Sequence, residues 1–209
     1  MRKLTFGILC KAQIHGRFAI CLMTAIDKLR EWDVETQMYV GRSNLPVARS
    51  ELVSTWWKTH GPGDVFFFLD ADHTFTVEDL RAILALDADV RCGLYASSDG
   101  TCTASFVDPK GFYTGQDDRL LLAGCGLMAM TWEIVDRLRQ TLPEVVTADP
   151  SDCLFPFFQP LLLDDPSGPK QIWLSEDKSF CYRVRAVGGI LRGITSPTIG
   201  HEVYKIETL

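Results

Sequence analysis

Short strand-like runs alternate with helical segments over the first hundred residues. The strand-like runs cover residues 4–10, 34–40, 65–69 and 90–95, and apolar residues recur at helical spacing between them. A strand needs a long crossover, usually a helix, to reach a parallel neighbour. The alternation therefore predicts a three-layer α/β fold with a mainly parallel sheet.

Helices are expected from Arg17 to Trp32, from about Leu45 to Lys58, and from Thr76 onward, where cap residues and first-turn acids mark the start. The second half is less regular. Residues 101–107 and 119–123 are expected to pair as strands around a loop at 108–118, and residues 142–170 are expected to form a long loop. Further helices are expected at about 131–139 and 175–187.

The composition is that of one folded domain covering residues 1–209, with 46% apolar and 23% charged residues. The net charge of −6 argues against binding of nucleic acid, because a phosphate backbone needs a basic surface. A single bound nucleotide is still compatible with this charge, since a metal ion can bridge acidic side chains to phosphate.

The cysteines indicate a reducing compartment. Their number, seven, is odd, and no C-x-x-C pair occurs, so we interpret them as free thiols and not as a disulfide framework or a zinc site. No apolar run reaches the roughly 20 residues of a membrane span, and no signal peptide is evident. A cytoplasmic protein without a transmembrane segment is therefore expected.

Two identical Asp-Ala-Asp tripeptides occur, and their contexts differ. Asp87 and Asp89 follow a helical segment and are expected to lie in a solvated loop. Asp70 and Asp72 directly follow the apolar run VFFFL, so both carboxylates are expected on one side of a strand end. Ligands of open α/β sheets bind at this edge, and paired carboxylates there are suited to Mg²⁺ or Mn²⁺.

These residues carry a resemblance to a known family. The run VFFFLDADHTF, preceded by Ala48-Arg49-Ser50, resembles the GT-A fold glycosyltransferases, many of which have an Ala-Arg-Asn helix start and then a strand ending in Asp-x-Asp. Ser50 departs from that pattern. Residues 90–95 and 123–128 resemble the family's V-x-G-x-Y strand and glycine-rich segment, and Glu176-Asp177 resembles its E-D-x-x-F helix start. The resemblance spans residues 4–204.

The resemblance implies a GT-A (Rossmann-like) three-layer α/β/α sandwich, with a nucleotide-binding half at about 1–100 and an acceptor-binding half at about 101–209. It implies an enzyme of the hexosyltransferase type (EC 2.4) that moves a sugar from a UDP-sugar to a glycan or another hydroxyl acceptor. The compact size also resembles glycosyltransferase domains of large algal DNA viruses, in which case the host cytoplasm is the expected location.

The resemblance also assigns roles at the metal site. Asp72 is expected to bind the metal directly, and Asp70 to reach the ribose or a metal-bound water, with Ala71 between them at the nucleotide. His201 is the candidate third ligand, and its imidazole favours Mn²⁺ over Mg²⁺. His73 is a weaker candidate, because histidine is common in loops that precede helices.

Asp177 is the candidate general base that deprotonates the acceptor hydroxyl; the alternative is a plain first-turn acid. Arg49 is expected to contact the nucleotide base or diphosphate, with a solvated helix arginine as the alternative. Residues after the first strand, Lys11, Ala12 and Gln13, are expected to line the base pocket.

Two other functions stay open. A nucleotidyltransferase that makes nucleotide-sugars would share the acidic metal site, but it normally has a glycine-rich basic loop after the first strand, and CKAQIHG is not such a loop. A non-catalytic domain that binds nucleotide or sugar, as part of a larger multidomain protein, is the other alternative.

Overall fold

A six-stranded sheet forms the centre of the fold in the computed structural model. The structure describes residues 1–10, 13–41, 44–95, 104–106, 120–146, 153–164, 168–195 and 199–201. The strands are Lys3–Cys10 (β1), Asp33–Val40 (β2), Val65–Asp70 (β3), His73–Thr74 (β4), Val90–Leu94 (β5), Ser105–Phe106 (β6), Leu120–Leu122 (β7), Leu127–Thr131 (β8), Val145–Val146 (β9), Cys153–Leu154 (β10), Leu161–Asp164 (β11), Gln171–Leu174 (β12), Leu191–Thr195 (β13) and Gly200–His201 (β14). The helices are Gly16–Lys28 (α1), Leu45–Thr59 (α2), Val77–Leu84 (α3), Trp132–Arg139 (α4) and Glu176–Ala186 (α5).

The order of strands in the central sheet is β13-β5-β8-β3-β1-β2. All neighbouring strands are parallel except at β8, which runs antiparallel to both β3 and β5. The predicted three-layer fold with a mainly parallel sheet is confirmed, and its carboxyl edge collects the ends of β1, β2, β3 and β5.

Both faces of β3 are buried, which explains its uninterrupted apolar sequence. Phe66 and Phe68 pack into a core with α2, α4 and α5, whereas Val65, Phe67 and Leu69 pack into a second core with α1 and α3. Strand β3 therefore lies between two helical layers, and its carboxyl end is held rigidly.

The predicted helix starts are confirmed for α2 and α3. The side chain of Asn44 accepts a hydrogen bond from the backbone of Val47, and Thr76 and Asp79 form a reciprocal capping box. Helix α1 ends at Lys28 and not at Trp32, because the chain turns there to enter β2.

One expectation for the second half was wrong, and one strand of the central sheet was missed. Residues 142–170 are not one long loop: they contain β9, β10 and β11, and Ser54 and Ser50 of α2 accept hydrogen bonds from the backbone N–H groups of Phe155 and Phe158. Strand β13 was not predicted. It adds to the sheet beside β5, although Arg192 and Gly193 interrupt its apolar pattern.

Strands β6 and β7 pair, as predicted, and run antiparallel; the expected loop at 108–118 lies outside the described residues. Among the described helices, none is both long and apolar enough to cross a membrane.

A polar cluster ties β1 to β2 and α2. The buried Thr5 hydroxyl donates to Glu35 at 2.8 Å, His60 Nε2 lies 2.5 Å from the same carboxylate, and the Lys3 ammonium lies 3.5 Å away. Burial raises the pKa of Glu35, but Thr5, His60 and Lys3 together outweigh it, so the pKa lies below its usual value.

Because the folded-state pKa of Glu35 is lowered, its carboxylate stabilises the fold above the unfolded-state pKa of about 4.3, and this contribution is lost as pH falls through the folded-state pKa. We expect Glu35→Gln to lower the unfolding free energy by about 1 kcal/mol at pH 7, since the carboxylate is partly exposed. Urea unfolding should show that the gap from wild type closes toward pH 3. A gap that stays constant with pH would contradict this.

Candidate metal and nucleotide site

The carboxyl end of β3 presents the predicted carboxylate pair. Asp70 is the last residue of the strand, and its backbone N–H donates to the carbonyl of Gly126 at 2.9 Å. Ala71 and Asp72 form a turn, and His73 begins β4. The side chain of Ala71 is buried in the core, while Asp70 and Asp72 are both partly exposed.

Asp70, Asp72 and His73 form a group that could hold a metal ion. Each offers one ligand atom, and these atoms all lie within 4.8 Å of one another. His73 is buried, and its Nδ1 lies 3.0 Å from Oδ1 of Asp72. Two carboxylates with an imidazole nitrogen suit Mn²⁺ and, through the oxygens, Mg²⁺. The chemistry of this donor set therefore fits the predicted metal.

Arg49 binds Asp70 and is not a solvated helix residue. Its Nη2 donates to both carboxylate oxygens of Asp70, at 3.2 and 3.0 Å, and its guanidinium lies 5.0 Å from the centre of the Phe68 ring. Only 4% of Arg49 is exposed. Its Nε and Nη1 atoms have no hydrogen-bond partner among the residues that the structure describes.

Burial disfavours the charge of Arg49, but Asp70, with a smaller contribution from Glu176, outweighs this and raises its pKa above the usual value. The guanidinium therefore stays charged and fixes the Asp70 carboxylate at the strand end. Contact between Arg49 and a nucleotide stays a prediction.

Tyr95 and Gly126 complete the buried side of the site. The ring of Tyr95 meets the ring of His73 edge-on, with centroids 4.2 Å apart, and a backbone hydrogen bond from Gly126 reaches its phenol. Burial, with the nearby charge of Asp70, raises the pKa of Tyr95, so its phenol stays neutral. A side chain at position 126 would not fit, since a Cβ there would lie 2.5 Å from His73 Cε1.

The first turn of α5 lies within electrostatic reach of the same region. The charge of Glu176 contributes to the raised pKa of Arg49. Burial raises the pKa of the Cys125 thiol; Arg49 lowers it, whereas Asp177 and Asp70 raise it further. Oδ1 of Asp177 accepts hydrogen bonds from the Ser175 hydroxyl and, at 2.8 Å, from the backbone of Lys178.

The other predicted site residues are only partly described. Gln13 is exposed just beyond β1, whereas Lys11 and Ala12 lie outside the described residues. His201 ends the ladder between β14 and β4, where its backbone is paired with that of His73. The ladder brings the two segments together, although they are far apart in the sequence.

The second Asp-Ala-Asp lies in the loop that was expected between α3 and β5, but Asp89 in it is bonded to neighbouring elements. Asp89 pairs with Arg137 at 2.6 Å and accepts the backbone N–H of Ile190 at 2.9 Å. Asp87 is exposed. Asp89 therefore links α4 and the start of β13 to the amino end of β5, away from the carboxyl edge.

The chain was compared with known proteins. No protein-family model and no curated protein matches it. Among solved structures, it is similar to A197 from STIV, with a TM-score of 0.57 and 16% identity over 98% of this chain and 87% of that chain.

Two more distant structures have TM-scores below 0.5. One is GalNAc-T7 with UDP, GalNAc and Mn²⁺ (TM-score 0.49, 15% identity, 99% of this chain and 45% of that chain). The other is 4-diphosphocytidyl-2C-methyl-D-erythritol synthase from Anaerococcus prevotii (TM-score 0.46, 10% identity, 92% of this chain and 87% of that chain). At 16% identity the likeness to A197 concerns the fold alone, and it agrees with the predicted Rossmann-like α/β fold with a mainly parallel sheet.

Proposed function

We propose that this chain is a metal-dependent glycosyltransferase that moves a sugar from a UDP-sugar to a hydroxyl group of a glycan or another acceptor. The observation that carries the proposal is the carboxylate pair of Asp70 and Asp72, with His73 beside Asp72, at the carboxyl end of β3, the edge where open α/β sheets bind their ligands. The ion pair with the buried Arg49 supports it, because it fixes one carboxylate in place.

In this proposal Asp72 and Asp70 hold Mn²⁺ or Mg²⁺, and His201 is the third ligand. When bound, the metal supplies positive charge that stabilises the diphosphate as a leaving group. Pairing of the β14 and β4 backbones supports the role of His201, since it puts the residue next to the acidic turn in the fold. Arg49 orients Asp70 by donating to both of its carboxylate oxygens.

The nucleotide would lie over the ends of β1 and β3. Lys11, Ala12 and Gln13 directly follow β1, whose last residues pair with β3 next to Asp70. We propose that they line the base pocket, and that Arg49 contacts the nucleotide base or diphosphate.

Asp177 is proposed as the base of an inverting transfer. It would take the proton of the acceptor hydroxyl while the acceptor oxygen bonds to the anomeric carbon and the bond from that carbon to the UDP oxygen breaks. Asp177 lies in the first turn of α5, where its carboxylate accepts hydrogen bonds from Ser175 and Lys178.

Binding of UDP, measured by calorimetry with and without Mn²⁺, tests the metal site. We expect Asp72→Ala to weaken Mn²⁺-dependent UDP binding at least tenfold, because the loss of one charged contact with the metal costs about 1.4 kcal/mol or more of binding free energy. The chain offers a matched control: Asp87→Ala changes the same tripeptide at an exposed position and should bind as wild type does. Equal binding by wild type and Asp72→Ala would overturn the proposal.

Turnover separates the alternatives. A glycosyltransferase releases UDP from UDP-sugars with suitable acceptors. A nucleotidyltransferase would instead release pyrophosphate from UTP and a sugar 1-phosphate. UDP binding without turnover in either assay would favour a binding domain.

A further inference from the structure

His73 is much more deeply buried than Asp72, the carboxylate that it contacts. Its side chain is 2% exposed, whereas that of Asp72 is 44% exposed. An exposed aspartate on a turn can adopt several rotamers, and each metal ligand must point at one place. The contact of 3.0 Å between His73 Nδ1 and Asp72 Oδ1 joins the exposed carboxylate to the buried ring.

The imidazole ring is confined on several sides. Tyr95 packs edge-on against it at 4.2 Å, and the Cε1–Nε2 edge faces Gly126, where a Cβ would lie 2.5 Å from Cε1 and 2.8 Å from Nε2. The backbone of His73 is itself paired with β14. The ring therefore cannot rotate without displacing its neighbours, and Nδ1 keeps its direction.

We propose that His73 is a positioning residue for the metal site: its Nδ1–H donates to Oδ1 of Asp72 and holds that carboxylate toward Asp70. This inference rests on the proposed function, in which Asp72 binds the metal. The proton lies on Nδ1 because an ionised carboxylate only accepts hydrogen bonds. Groups that orient metal ligands in this way typically change metal affinity 10- to 100-fold when removed.

Two isosteric substitutions test which ring atom matters. The amide nitrogen of asparagine can occupy the place of Nδ1, whereas that of glutamine reaches the place of Nε2. We expect His73→Asn to keep the Mn²⁺ dissociation constant within about threefold of wild type, and His73→Gln to raise it about tenfold. The probe is Mn²⁺ alone, titrated by the electron paramagnetic resonance signal of the free ion.

Gly126→Ala supplies a second test that leaves His73 in the chain. The added Cβ pushes the ring away from its present position, so Mn²⁺ affinity should fall in the same direction as in His73→Gln. Thermal unfolding without metal reports whether each variant is folded at the temperature of the titration.

The outcomes separate this inference from the proposed function. Equal Mn²⁺ affinity in wild type, His73→Asn and His73→Gln, with binding lost in Asp72→Ala, would overturn the positioning role alone. A nitrogen coupling to bound Mn²⁺ that disappears in His73→Asn would make His73 a direct ligand and overturn it too. Absence of Mn²⁺ binding by wild type would overturn both proposals.

Discussion

Replacing Asp70 by alanine should destabilise the protein by about 3–5 kcal/mol, because it leaves the buried guanidinium of Arg49 without its carboxylate. Arg49 is 4% exposed, and Nη2 donates to both oxygens of Asp70. The raised pKa of Arg49 depends on that carboxylate, and an arginine cannot escape the cost by losing its proton. Urea unfolding at pH 7, without metal or nucleotide, measures the loss.

A double variant shows whether the buried charge is the cause. Asp70→Ala combined with Arg49→Met removes both charges and keeps an apolar chain over the Phe68 ring, so it should recover most of the lost stability. Asp87→Ala, at an exposed position, should change the unfolding free energy by less than about 0.5 kcal/mol. A loss below about 1 kcal/mol in Asp70→Ala, or no recovery in the double variant, would contradict this account.

The same ion pair shows how much of the site could be predicted from the sequence. The pattern around VFFFL placed Asp70 and Asp72 at the end of a buried strand, because a strand covered on both faces must be apolar throughout. That Arg49 would bind Asp70 could not be inferred, since the two residues are on different elements. The partnership depends on how α2 packs against β3.

Strands were predicted correctly where the segment itself has an apolar or alternating pattern. They were missed where the strand forms because a neighbouring strand pairs with it. The strands β1, β2, β3 and β5 were predicted, since each is a sustained apolar or alternating run. Strand β13 contains Arg192 and Gly193 and is a strand because β5 offers an unpaired edge. Strands β4 and β14 have two residues each, which is too short for any periodicity.

The place of His73 illustrates the same limit. In sequence it is one more histidine in a loop before a helix. Its burial follows from Tyr95, which comes directly after β5, and from Gly126, in the segment before β8. The role of serine at position 50, where the resembled family has asparagine, is likewise visible only in the fold. The Ser50 hydroxyl accepts a hydrogen bond from the backbone N–H of Phe158 and so anchors the segment after β10.

For the acceptor side, Asp177→Asn is expected to reduce sugar transfer by about 10²- to 10⁴-fold, which is the usual contribution of a general base. The substitution is conservative for the structure. The Oδ1 atom of asparagine can still accept from the Ser175 hydroxyl and the Lys178 N–H, so the start of α5 should be preserved. An amide cannot take a proton from the acceptor. UDP binding with Mn²⁺ should therefore stay within about threefold of wild type while turnover falls.

Glu78→Gln is the matched control for this prediction. Glu78 is an exposed acid in the first turn of α3, two residues after the cap residue Thr76, as Asp177 is two residues after Ser175. A loss of transfer that came only from the charge at a helix start would be similar in both variants. Transfer that is lost in Asp177→Asn and kept in Glu78→Gln, with UDP binding unchanged in both, assigns the proton transfer to Asp177. Transfer that persists in Asp177→Asn would remove the base role and favour a retaining reaction, in which the leaving diphosphate stays on the face that the acceptor approaches.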